Sequence, residues 1–257
     1  MCELFGISSS KRYTANKYLR EFYSHSIRHP HGWGLACASR SCVKIEKESL
    51  QASKSNYLKE RLSLPICCEI FLAHIRYATI GNVEYRNCHP FCGKDNKGVC
   101  WAMIHNGTIF DFPPLNVYIK KQCGDTDSER VFLYFLDRIN SAQNKKGTKL
   151  SFEEKFDLFD NIVCHMSKDN KLNLLFTDGK YLFAHCNCKN TLHYLEKNGT
   201  AILSTTPLDN KNWKPVPFTR LIAFHNGKII QTGSNHKNEY VESPDDMKLL
   251  YSIFANL

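Results

Sequence analysis

Short apolar runs dominate the chain, and their period is mostly that of strands. Residues 3–8, 33–39, 43–47, 69–75 and 99–105 read as a first series, and 171–177, 180–186, 200–204, 221–225 and 228–232 as a second. Asp178-Gly179 and Asn226-Gly227 stand between neighbouring runs of the second series, and each is a strong signal for a two-residue hairpin turn. Three segments show helical spacing instead. The first runs from a cap at Thr14 to about Ser26. In the second, Thr126-x-x-Glu129 forms a capping-box pattern ahead of Val131, Phe132, Phe135, Leu136 and Ile139. Ser151-x-x-Glu154 repeats that signal ahead of Phe156, Phe159, Val163 and Met166. The polar stretch 140–148 between them reads as a loop or a hairpin of helices. Grouped antiparallel strands with helices set between the groups predict an α+β protein in which two sheets face each other and helices lie outside.

Composition narrows the function classes. With 42% hydrophobic and 12% aromatic residues in 257, the chain is an ordinary globular one and long enough for a substantial core. No apolar run approaches the roughly 18 residues of a membrane span. The N-terminus lacks a signal-peptide pattern, so no membrane contact and a soluble, cytoplasmic location are expected. Lys and Arg exceed Asp and Glu by 34 to 25, a formal charge of +9, but they are scattered in ones and twos. A nucleic-acid-binding module would need clustered cations with interleaved aromatics, and that pattern is missing, so no nucleic-acid partner is expected. The twelve cysteines read mainly as buried reduced thiols, with Cys67, Cys68, Cys100 and Cys164 set among apolar residues. Cys88-x3-Cys92 and His185-Cys186-x-Cys188 with His193 do not pair at matched zinc-ligand spacing, so neither a metal nor another cofactor is expected.

Several local motifs could carry chemistry, and each has a plain structural alternative. Cys2, once an initiator Met is removed, would combine a thiol nucleophile with an α-amine base. In His74-Ile75-Arg76-Tyr77-Ala78-Thr79-Ile80-Gly81, an Arg at a strand end could grip a carboxylate in a fork, or simply be solvated. Asn87-Cys88-His89-Pro90-Phe91 reads as a turn with a packed aromatic. Asn106-Gly107 offers an amide beside a permissive backbone N–H, the makings of an oxyanion hole. The same His-Asn-Gly-x-Ile recurs at 225–229, however, where it looks like a hairpin turn. Asp127 could receive an ammonium or merely favour its helix dipole.

The set in its order resembles the class II glutamine amidotransferases, which are N-terminal-nucleophile hydrolases. Met1-Cys2-Glu3-Leu4-Phe5-Gly6, Gly32-Trp33-Gly34 and Leu203-Ser204-Thr205-Thr206-Pro207-Leu208 look like the branch in which the glutaminase-type domain stands alone. The resemblance implies a four-layer αββα sandwich and one domain over residues 1–257. It implies Cys2 as nucleophile with its own amine as base, and Asn106 and Gly107 as the oxyanion hole. Arg76 would bind a substrate carboxylate, Asp127 the ammonium, and Thr79 and His89 would line the same pocket. The activity implied is hydrolysis of the glutamine side-chain amide to glutamate and ammonia, for an acceptor held by a separate synthase protein. The rival enzyme reading is a self-sufficient hydrolase of another γ-glutamyl amide, of the glutathione- or ergothioneine-pathway type. One departure stands out: the family turn reads His-x-Asp-Gly-Trp-Gly, whereas this chain has His29-Pro30-His31-Gly32-Trp33-Gly34. The preceding residues 23–28 also lack the Gly-rich, Arg-containing loop that typically covers the substrate.

Overall fold

A computed structural model describes residues 2–39 and 42–243. In chain order its elements are β1 (Glu3–Thr14), α1 (Asn16–Ser24), β2 (Trp33–Ala38), β3 (Val43–Glu48), α2 (Asn56–Ser63), β4 (Cys67–Ile75), β5 (Phe91–Lys94) and β6 (Cys100–Thr108). There follow α3 (Asp127–Lys146), α4 (Phe152–Met166), β7 (Lys171–Thr177), β8 (Leu182–His185), β9 (His193–Lys197), β10 (Thr200–Ser204), β11 (Lys214–Pro215), β12 (Leu221–His225) and β13 (Lys228–Thr232). One sheet has the order β11-β9-β10-β1-β4-β2-β3 and the other β13-β12-β8-β7-β6-β5, and the strand pairings are antiparallel.

Both faces of the central strands are buried, which is why their sequences are nearly continuous apolar runs. Along β1 the alternation is clear: Leu4 packs between the sheets with Ala36, Leu72, Ala102, Ile104, Leu175 and Ala201. Phe5 and Ile7 point the other way, onto Tyr18, Leu19 and Phe22 of α1 and Leu58 of α2. The second sheet turns Trp101, Met103, Leu174 and Phe176 toward Phe132, Phe135, Phe159 and Val163 of α3 and α4. These three apolar seams make four layers, helix–sheet–sheet–helix, as expected.

Several local expectations are corrected. Thr14 ends β1 and does not cap α1, whose N-cap is Ala15 without a side-chain bond. The stretch 140–148 is largely helical, because α3 continues to Lys146 and stops where Gly147 takes φ +83°. Thr126 accepts the N–H of Glu129, but the Glu129 carboxylate reaches Cys123 and Gly124 N–H, so only half the capping box forms. The box at Ser151 and Glu154 is complete. Of Cys67, Cys68, Cys100 and Cys164, only Cys100 is buried and the others are partly exposed.

Candidate active site

Cys2 directly precedes β1 and is only partly exposed. It has the same parity as Leu4, so it projects toward the space between the sheets. Its neighbour Glu3 points away and accepts hydrogen bonds from His25 Nδ1 (2.9 Å) and His29 Nε2 (3.2 Å). That pair of bonds ties the start of β1 to the 3-10 turn His25–Arg28, the structure found where the covering loop of the resembled family would stand. The Cys2 Sγ accepts the Tyr77 N–H at 3.3 Å and lies 3.4 Å from the Tyr77 carbonyl. Burial pushes the Cys2 thiol up, and the Tyr77 contact and the Arg76 charge oppose that rise without cancelling it. A thiol kept protonated in this way needs a base to become a nucleophile.

The segment after β4 is built around Arg76. Its backbone N–H donates to Gly32 O (2.8 Å), and its carbonyl accepts from His31 N–H (3.0 Å). The buried guanidinium donates to the carbonyls of Asn82 (2.8 Å), Ile80 (2.9 Å) and Gly81 (2.9 Å), curling residues 76–82 around itself. His31, the residue that departs from the family turn, has a specific place here: its Nδ1 accepts the Ala78 N–H at 2.9 Å. Burial, and then the Arg76 charge, lower the His31 pKa and favour the neutral ring this bond requires. The glycines beside it are explained by close packing. A Cβ on Gly32, at φ +147°, would stand 2.6 Å from Cys88 Sγ, and one on Gly34 would stand 2.0 Å from the His89 carbonyl oxygen.

Strand β6 carries Asn106 and Gly107 within its pairing to β7, opposite Asn173 and Leu172. Ala102 and Ile104 face the inter-sheet seam, so Asn106 shares the side toward which Cys2 projects. His105 faces the helices. Its Nδ1 accepts the Ser128 hydroxyl (2.9 Å), and its Nε2 donates to the Lys171 carbonyl (3.3 Å). A Cβ on Gly107 would lie 1.9 Å from that same carbonyl, so only glycine fits. The second His-Asn-Gly copy is a hairpin turn between β12 and β13, with Asn226 and Gly227 at φ +52° and +75°. The two copies therefore differ in backbone conformation.

Asp127 opens α3. One carboxylate oxygen accepts the Ile109 N–H (2.8 Å) just beyond β6, and the other accepts the Ser128 N–H (2.9 Å). The buried carboxylate thus joins the end of β6 to the start of α3.

These elements converge on one narrow pocket that opens to solvent. Cys2, Arg76, Thr79, His89, Gly107 and Asp127 all line it, although they come from five separate stretches of sequence. Asn106 is buried next to Gly107 but is not among the lining residues. Tyr77, His105, Thr126 and Ser128 also line the pocket, and sequence reasoning gave them no site role. Arg76 and Asp127 form no ion pair with each other among the described residues. The His89 ring meets His74 (Nδ1 to Nε2, 3.0 Å), and burial holds both imidazoles well below their ordinary pKa. Among the described residues no group of three or more His, Cys, Asp or Glu side chains could hold a metal ion.

Comparison with known proteins gives a consistent result. Residues 1–199 match the family model for class-II glutamine amidotransferases, and every site position named above falls within that span. An uncharacterized protein of Methanocaldococcus jannaschii is 31% identical over 90% of this chain and 71% of its own length. A Haemophilus influenzae protein, provisionally named a glutamine amidotransferase, is 27% identical over 90% of this chain and 86% of its own. Among solved structures, one described as a predicted glutamine amidotransferase from Pseudomonas aeruginosa superposes with a TM-score of 0.66. It does so at 22% identity, over 90% of this chain and all of that one, a likeness of fold.

Proposed function

The chain belongs to the class II glutamine amidotransferases, and on that premise we propose that it hydrolyses the side-chain amide of glutamine with Cys2 as nucleophile. The observation that carries this reading is the convergence of Cys2, Arg76, Thr79, His89, Gly107 and Asp127 on a single pocket. A free amine on Cys2, exposed by removal of Met1, takes the thiol proton and the sulfur attacks the amide carbon. The oxyanion is stabilised by the Asn106 amide and the Gly107 N–H. Arg76 holds the α-carboxylate and Asp127 the α-ammonium, so the γ-amide is carried to the sulfur. The tetrahedral intermediate collapses by breaking its C–N bond, and the departing nitrogen takes a proton from the amine and leaves as ammonia. Water then attacks the thioester, giving glutamate and the free thiol. The ammonia is used by an acceptor held on a separate protein, and residues 1–257 form one glutaminase domain.

The test is glutamate release from glutamine and from a panel of other γ-glutamyl amides, together with the intact mass of the active protein. Wild type should release glutamate from glutamine and begin at Cys2, while Cys2→Ala should lose roughly 10³-fold or more of the turnover. Full activity in Cys2→Ala, or in protein that retains Met1, would overturn the mechanism. Turnover confined to a bulkier γ-glutamyl amide would replace glutamine as the substrate.

A further inference from the structure

A second concavity lies at the far end of the strand that Cys2 begins. It is an open cleft of about 1050 Å³ formed by residues 9–13 of β1, the start of α1, the β9–β10 turn and Lys211. No residue that lines this cleft lines the pocket described above, so the two are separate.

Five cationic side chains line this cleft: Lys11, Arg12, Lys17, Lys197 and Lys211. Lys211 is balanced by Asp209 at 2.6 Å, a carboxylate that also accepts from Tyr18 and Trp213. Among the described residues none of Lys11, Arg12, Lys17 and Lys197 forms an ion pair. Arg12 donates to the Cys67 carbonyl (3.1 Å) and is partly tied to β4. Like charges on Lys11, Lys17 and Lys197 repel one another, whereas in a concave surface they focus a positive field. Helix α1 adds to that field. It starts at the cleft edge with no side-chain cap and no acidic residue in its first turn, leaving its positive dipole end unbalanced. Neutral donors stand among the cations: Tyr13, Ser10 and Asn198 also line the cleft.

We propose that this cleft binds a small polyanion carrying two or more phosphate charges, such as pyrophosphate or a nucleoside polyphosphate. The concavity favours a compact ligand. A nucleic acid would instead call for cations arrayed as a stripe along one face. Binding here is independent of the amide chemistry, so it can fail or succeed whatever the fate of the glutaminase reading.

Calorimetric titration of the full chain with pyrophosphate, ATP and inorganic phosphate tests the proposal. Pyrophosphate and ATP should bind, more weakly as salt rises, and at least about tenfold more tightly than monophosphate. The double variant Lys11→Glu/Lys197→Glu should lose at least about tenfold in affinity and keep the wild-type rate of glutamate release. Lys120→Glu/Lys121→Glu, with the same change in net charge on another surface, should bind as wild type does. Lys11→Gln/Lys197→Gln provides a milder version should the reversal disturb folding, and it should weaken binding in the same direction. No binding at millimolar pyrophosphate, equal losses in both double-Glu variants, or tighter binding of a short single-stranded RNA than of ATP would overturn the proposal.

Discussion

At the scale of single residues, identical words in the sequence have different structural meanings. Asn106 lies within a buried strand beside the pocket, whereas Asn226 occupies the left-handed region in a turn. Asn106→Ala should therefore lower turnover by roughly 10²–10³-fold with little change in melting temperature. Asn226→Ala should leave turnover near wild type and cost about 1–2 kcal/mol, the penalty of a Cβ at positive φ. Steady-state glutamate release and thermal melts on both variants check this, and equal kinetic losses would make the first copy merely structural. Most of the proposed site was legible because its residues sit in short motifs that follow one another in a set order, such as His89-Pro90 and His105-Asn106-Gly107. His31 was legible only as a departure from that order. Its acceptance of the Ala78 N–H depends on how two distant loops meet, and no local pattern encodes such a meeting. Ser128 is similar: its bond to His105 needs α3 to start where β6 ends.

At the scale of elements, strands with a sustained apolar run or a clear hairpin signal announced themselves, and pieces with neither did not. The runs 171–177, 200–204, 221–225 and 228–232 coincide with β7, β10, β12 and β13. β5 was missed because Phe-Cys-Gly-Lys buries one side chain fully and contains a glycine that packs under Phe132 and Leu136. α2 was missed because Leu58 is its one buried residue, too little for a helical period to be heard. The start of β2 is where a mutation should act on both fold and site. Gly34→Ala would push a Cβ into the His89 carbonyl, so His89, a lining residue, must move. The expected outcome is a loss of about 1–3 kcal/mol together with lower kcat/KM. Gly98→Ala is the comparison: its Cβ meets nothing within 4 Å, and its cost should be confined to backbone strain at φ +78°. Circular dichroism melts and kinetics on the pair would expose the error if Gly34→Ala proved as mild as Gly98→Ala.

At the scale of the whole molecule, the layered class could be read from the sequence but the strand order could not. β1 lies between β4 and β10, and pairings across such distances leave no local trace. Stability against acid is also a property of the whole. Burial lowers the pKa of His31, His74, His89, His105 and His236, and lowers that of His185 to about 3. Imidazoles held neutral in the fold contribute fully above their unfolded pKa, about 6.5. That contribution is lost as pH falls below it, because the unfolded chain takes up the protons first. His25 runs the other way: its hydrogen bond to Glu3 raises its pKa, so its contribution fades as pH rises past neutrality. Glu3, held at about 2 against burial by its bonds to His25 and His29, loses its contribution between about 4.5 and 2. Six groups outweigh one. The melting temperature should fall by several degrees from pH 7.5 to pH 5.5, with net proton uptake on unfolding, and a flat profile over that window would refute the balance.

The placement of β1 also has a consequence for how the protein comes into being. β1, which directly follows Cys2, is made before its partners and cannot be completed early. Glu3 pairs with Ile75, and Phe5 waits for Ser204, which is made when most of the chain has already emerged. Through most of synthesis the thiol is therefore present without the pocket that directs it. If Cys2 is the nucleophile proposed above, a chain cut short of β10 carries it as an ordinary cysteine, because β1 then lacks the pairing of Phe5 with Ser204.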